Sequence, residues 1–136
     1  MDNLKKLIQQ RKLAIEFGRS VAAADREAKR IPGYKGYQLS QMIVDYGGYE
    51  ASRRVLHRLP LGRVQEGFTT LYMLRRLDLS IEWKALHPKW RPIFEKSLRS
   101  EAERRLAMVG CSWSRVLLPG KEPQMVLHYS LEGALD

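Results

Sequence analysis

A chain of 136 residues with a formal charge of +9 and an apolar fraction of 44 % is long enough for one hydrophobic core and too apolar for wholesale disorder. A single cysteine rules out an internal disulfide and any Cys-x-x-Cys metal pair. No stretch approaches the roughly 18 consecutive apolar residues of a membrane helix.

The charge is unevenly placed. Residues 1–109 hold 22 Lys and Arg against 12 Asp and Glu, a balance of +10. Residues 110–136 hold two basic residues, Arg115 and Lys121, against Glu122, Glu132 and Asp136, a balance of −1. A body this basic predicts an anionic partner. The N-terminus MDNLKKLIQQRK has no apolar signal core. With one cysteine and no apolar span, the expected compartment is the reducing cytoplasm, with no membrane partner.

Asp2 or Asn3 can cap a helix starting at Leu4. Leu4, Leu7, Ile8, Arg11, Ile15 and Ala22 follow at helical spacing, and the helix should end before Pro32-Gly33. Gly18 is a weak point in that helix, costing about 1 kcal/mol relative to Ala and leaving room for a kink. The same helix carries Lys5, Lys6, Arg11, Lys12, Arg19, Arg26, Lys29 and Arg30.

Tyr34 to Tyr37 reads as a turn. Gln38–Tyr46 and Tyr49–Arg58 read as short helices broken by Gly47-Gly48, and Leu59-Pro60-Leu61-Gly62 as a connector. A further helix is predicted from Val64 to Leu77. Asp78 or Ser80 should cap a short helix through Leu86, and Pro88 and Pro92 should force a turn around Trp90. Ser100 and Glu103 have capping-box spacing, which predicts a helix opening there and running to Val109 before Gly110.

The period then changes. Trp113–Leu118 and Gln124–Tyr129 are rich in β-branched and aromatic residues and flank Pro119-Gly120-Lys121-Glu122-Pro123, the pattern of a β-hairpin. The expected fold is a mainly α, single-domain helical bundle with a C-terminal β-hairpin. Its basic body spans 1–110, and a tail from 111 to 136 packs on the body or on a partner.

Gly47-Gly48, Gly67-Phe68, Leu71 and the run Leu77-Asp78-Leu79-Ser80-Ile81-Glu82, completed by Pro88, Phe94, Ala102 and Leu106, form a pattern over 33–106. In this pattern the chain resembles a family of small bacterial and phage helical proteins. That family commonly has a glycine just before Leu-Asp-Leu, where this chain has Arg75-Arg76. The resemblance implies a prokaryotic or mobile-element origin and a helical module, and no particular activity.

Helix, Gly47-Gly48, helix is also the outline of a helix-turn-helix, with Glu50, Arg53, Arg54 and His57 outward on the second helix. A plain helical hairpin with a solvated basic face fits the same residues. Arg53, Arg54, Arg58 and Arg63 stand with no acid between Ala51 and Gln65. Guanidinium groups suit phosphate because their planar fork bonds two oxygens at once. Arg75 and Arg76 are weaker candidates beside Asp78, and Tyr49 is a candidate for stacking on bases or sealing a core edge.

Asp78 and Glu82 lie four apart, as paired acid–base or Mg²⁺ carboxylates can, but read better as a cap and an arginine partner. His57, His87 and His128 lack ligand spacing, and Cys111 has no evident base. No catalytic residue, metal or cofactor is therefore expected. The expected function is non-enzymatic binding of nucleic acid or of a nucleic-acid-handling protein complex. The alternative is a protein–protein inhibitor or accessory subunit in phage defence or counter-defence. A homodimer through the tail is a further expectation.

Overall fold

A computed structural model describes residues 2–57, 63–122 and 124–129, and of 63–66 the backbone alone. The chain is mainly α with a C-terminal antiparallel hairpin, as the residue pattern predicts. Helix α1 spans Asp2–Lys29, α2 Tyr37–Tyr46, α3 Gly48–His57 and α4 Arg63–Met73. A 3-10 turn at Leu77–Leu79, α5 over Ile81–Ala85, a 3-10 segment at Pro88–Ile93 and α6 over Lys96–Met108 follow. Strands β1 (Ser112–Val116) and β2 (Gln124–His128) pair with Trp113 opposite Leu127 and Arg115 opposite Met125. The predicted connector 59–62 lies outside the described residues.

Helix α1 is the spine. It buries Phe17, Val21, Ala24 and Ala28, a stripe at spacings of four, three and four. Around Phe17 sit Phe94, Trp90 and Tyr49, with ring centroids 4.8, 5.3 and 6.4 Å away in edge-on geometry. Val55, Leu56, Ile81, Leu98 and Ala102 complete this first core. A second cluster of Ala28, Tyr34, Leu71, Leu77, Leu106 and Cys111 lies beside it.

Gly18 does not interrupt α1, which runs through it as one helix. The reason is tertiary. A Cβ on Gly48 would lie 2.4 Å from the Gly18 carbonyl oxygen, so α1 and α3 cross with backbones touching. Gly47, at φ 81°, makes the turn that delivers α3 to this crossing.

Helix α6 begins a turn earlier than Ser100 and Glu103 predict, so those two residues lie inside the helix. Burial of Leu98, in step with Ala102, Arg105 and Leu106, extends the helix back to Lys96. Helix α4 stops at Met73, short of the expected Leu77. Arg76 N–H donates to Leu71 O and Arg75 N–H to Tyr72 O, a Schellman stop with Arg75 left-handed at φ 58°. Gly110 at φ 78° ends α6 with the same pair of bonds, from Cys111 to Leu106 and from Gly110 to Ala107. Ser80, and not Asp78, caps α5 by accepting from Trp83 N–H at 3.1 Å.

The hairpin packs on the body through one face. Trp113, Leu127 and Tyr129 join the second core cluster, and the Tyr129 hydroxyl accepts from Leu77 N–H at 3.1 Å. Val116, Leu117 and Val126 remain exposed, so half of the expected apolar tail is left uncovered.

Candidate binding surface

Of the four singled-out arginines whose side chains are described, three are held by carboxylates within the fold. Arg53 is half-buried, donates to Glu95 Oε1 at 2.6 Å and reaches the Tyr49 hydroxyl at 3.5 Å. The hydrogen bond to Glu95 holds its proton more firmly than usual. Arg54 pairs with Glu50 at 3.3 Å and stacks 3.8 Å from the Tyr46 ring centroid. Arg76 is bound by Asp78 at 3.0 Å and by Glu27 of α1 at 2.8 Å, and both raise its pKa, Asp78 the more. Arg75 is exposed, with its guanidinium 5.0 Å from the Tyr129 ring centroid. Arg58 lies outside the described residues, as does the side chain of Arg63.

Tyr49 seals the core edge. Its ring packs on Phe17 and Phe94, and its hydroxyl donates to the Ile93 carbonyl at 2.6 Å. Nor do the described arginines Arg53 and Arg76 converge. Arg53 is tied to Glu95 at the start of α6 and Arg76 to the end of α1. The acid-free interval from Ala51 to Gln65 says nothing about Glu95, which folding brings to Arg53 across 42 residues. Long-range ion pairs of this kind have no signature in local spacing.

Asp78 and Glu82 likewise serve different partners. Asp78 is exposed and held by Arg76. The Glu82 carboxylate meets Arg105 at 3.0 Å, with both side chains 5 % exposed. Burial pushes the Glu82 pKa up, against the pull of Arg105. Arg105 also donates to Glu101, which Arg104 holds from the other side, so Glu101 is pulled down to about 2. This network ties α5 to α6 and is a structural joint. The space beside it, lined by Tyr34, Leu71, Ser80 and Glu82, measures about 30 Å³, room for about one or two waters. The Cys111 thiol is buried, and its pKa is raised by that burial. Among the described residues, no three His, Cys, Asp or Glu side chains gather as a metal site would need, and no helix is long and apolar enough to cross a membrane.

One open basic surface among the described residues runs along α1. Lys5, Lys12, Arg19 and Arg26 recur every seven residues, a spacing that keeps them on one side of a helix. All four are exposed, and the row lies opposite the buried stripe of Phe17, Val21, Ala24 and Ala28. The row is about 32 Å long at 1.5 Å per residue. Arg30, also exposed, continues it just past the helix end.

The acids of α1 beyond its first turn are already taken. Glu16 pairs with Lys89, Asp25 with Lys29 and Ser40, and Glu27 with Arg76. Among the described residues none of Lys5, Lys12, Arg19 or Arg26 has a carboxylate within ion-pair reach. The seven-residue repeat of cations was readable in the sequence. What required the structure was which side of α1 is buried and where its acids go. Compared with known proteins, the chain matches no family model, no curated protein and no solved structure.

Proposed function

We propose that the protein is a non-enzymatic binder of nucleic acid that lays the outer face of α1 along the phosphate backbone. The observation that carries this reading is the row Lys5, Lys12, Arg19, Arg26, exposed and without acidic partners among the described residues. A long row of cations on one side of a helix suits a linear polyanion, whose repeating charges it can meet one after another. Contacts of this kind position a phosphate backbone and carry no base sequence, so similar affinity is expected across sequences. Arg53 and Arg76 take a minor part, because an incoming phosphate would first have to displace Glu95 or Asp78 and Glu27.

Labelled single strands of about 30 nucleotides, DNA and RNA, and matching duplexes are titrated with the full chain over a series of salt concentrations. Arg19→Ala with Arg26→Ala should weaken binding to similar extents across sequences and lower the salt slope by about two, one per lost contact. Arg53→Ala with Arg54→Ala should have the smaller effect. No binding to any of these probes, or a larger loss from the Arg53 and Arg54 pair, overturns the reading.

A further inference from the structure

Helix α1 carries a second exposed row beside the basic one. Leu4 is 61 % exposed, Ile8 48 % and Ile15 53 %. With Arg11 they form the alternating four-and-three spacing of a coiled-coil seam, with Leu4 and Arg11 at d and Ile8 and Ile15 at a. The same register puts Lys5, Lys12, Arg19 and Arg26 at successive e positions and Leu7 and Ala14 at g. Continued, the seam reaches Gly18, where the backbone of α3 closes it at Gly48. Between Leu4 and Ile15, about 16 Å of seam is open. Arg11 and Ala14 also line an open groove of about 440 Å³ against Tyr49 and residues 92–95, which leaves room beside the seam.

We infer that this open seam seats a helix of another protein, apolar on one stripe and acidic along its flank. Three observations select that occupant. The apolar row is short, about three turns with Leu7 (62 % exposed) beside it on one flank and Lys5 and Lys12 on the other, and Arg11 interrupts it, which fits a single helix and not the long continuous apolar face a bilayer takes up. Its one flanking row is uniformly Lys and Arg, so the complementary flank is Glu or Asp. A second copy of this chain would bring Arg11 into the shared seam in either orientation and, antiparallel, would set the basic row beside its like, and both oppose pairing. Nucleic acid gains nothing from Leu4, Ile8 and Ile15, so this docking is separate from the phosphate contacts proposed above, although Lys5 and Lys12 would serve either ligand.

The two readings separate experimentally, because Ile8 and Ile15 serve only the seam, while Arg26 and Arg30 lie past its closure at Gly18. The probe is a labelled synthetic helix of about three heptads with Ile at a, Leu at d and Glu at every e and g, titrated with the full chain. Saturable binding is expected, and Ile8→Ser with Ile15→Ser should weaken it about tenfold or more. The same pair should leave affinity for the nucleic-acid strands unchanged. Arg26→Ala with Arg30→Ala should do the reverse. Both substituted pairs are at exposed positions, and thermal melting confirms that the variants fold. The inference is overturned if the acidic helix does not bind, or if it binds equally well without Ile8 and Ile15. It is also overturned if the chain alone sediments as a dimer that the Ile8 and Ile15 changes dissolve, or if phosphatidylserine vesicles bind this face more tightly than the acidic helix does.

Discussion

The crossing of α1 and α3 makes a prediction in which two glycines respond with opposite sign. A methyl group added at Gly48 would lie 2.4 Å from Gly18 O and 2.7 Å from Gly18 Cα. Those are backbone atoms of a continuous helix and cannot turn aside, so Gly48→Ala must push the helices apart by about 1 Å to reach ordinary contact. That shift loosens the packing of Phe17, Val21 and Val55, and overpacking of this kind costs about 1–3 kcal/mol. The gain in helix propensity, about 1 kcal/mol, offsets part of this. Net destabilisation by up to about 2 kcal/mol is expected, a fall in Tm of up to about 8 °C for a domain of this size. A methyl group at Gly18 instead meets Tyr49 N at 3.4 Å, an ordinary contact, while the same propensity gain applies. Gly18→Ala should therefore be neutral or stabilising by up to about 1 kcal/mol. Urea unfolding followed by circular dichroism at 222 nm measures both. If Gly48→Ala is as stable as the parent, or if Gly18→Ala loses more than Gly48→Ala, the close crossing is wrong.

Arg75→Gly should stabilise the fold by about 0.5–1 kcal/mol. It relieves a left-handed conformation that costs an L-residue about 1–2 kcal/mol, less the lost contact with the Tyr129 ring. A lower urea midpoint for that variant would refute the Schellman reading. Arg105→Met should cost about 3–5 kcal/mol near neutral pH, because it leaves Glu82 buried without its cation. Since burial raises the Glu82 pKa in the folded state, that variant should lose stability as pH rises through the ordinary carboxylate value of 4.5 and on to the raised folded value, and unfolding curves between pH 4 and 8 would show no such trend if Glu82 were solvated. Glu101 behaves in the opposite sense. Its pKa falls from 4.5 to about 2 on folding, so its contribution is present above pH 4.5 and is lost as pH falls toward 2. Glu101→Gln should flatten the stability profile in that window, and an unchanged acid limb would refute the role given to Arg104 and Arg105.

Local chemistry determined much of this protein by itself. The helix over the first 29 residues, the Gly47-Gly48 break and the change of period after Gly110 each act within a turn or two, and each is where the sequence places it, although Leu4, Leu7, Ile8 and Ile15, whose spacing marked that helix, stay exposed while Phe17, Val21, Ala24 and Ala28 are buried. Where local signals competed with burial, burial prevailed. Leu98 draws the start of α6 back past Ser100 and Glu103, and Arg75 accepts a left-handed backbone that lets the chain turn Leu77 into the core. Only the tertiary structure decided which charges are spent. Glu95 reaches Arg53 from 42 residues away, Glu27 reaches Arg76 from 49 and Arg105 reaches Glu82 from 23. Gly18 changes in the same way from a weak point in one helix to the meeting place of two. Coulomb attraction and steric fit depend on distance in space, which sequence separation does not report. Arg53 and Arg76 are therefore paired with acids far away in the chain, while the row that α1 carries on the side turned away from the core stays open.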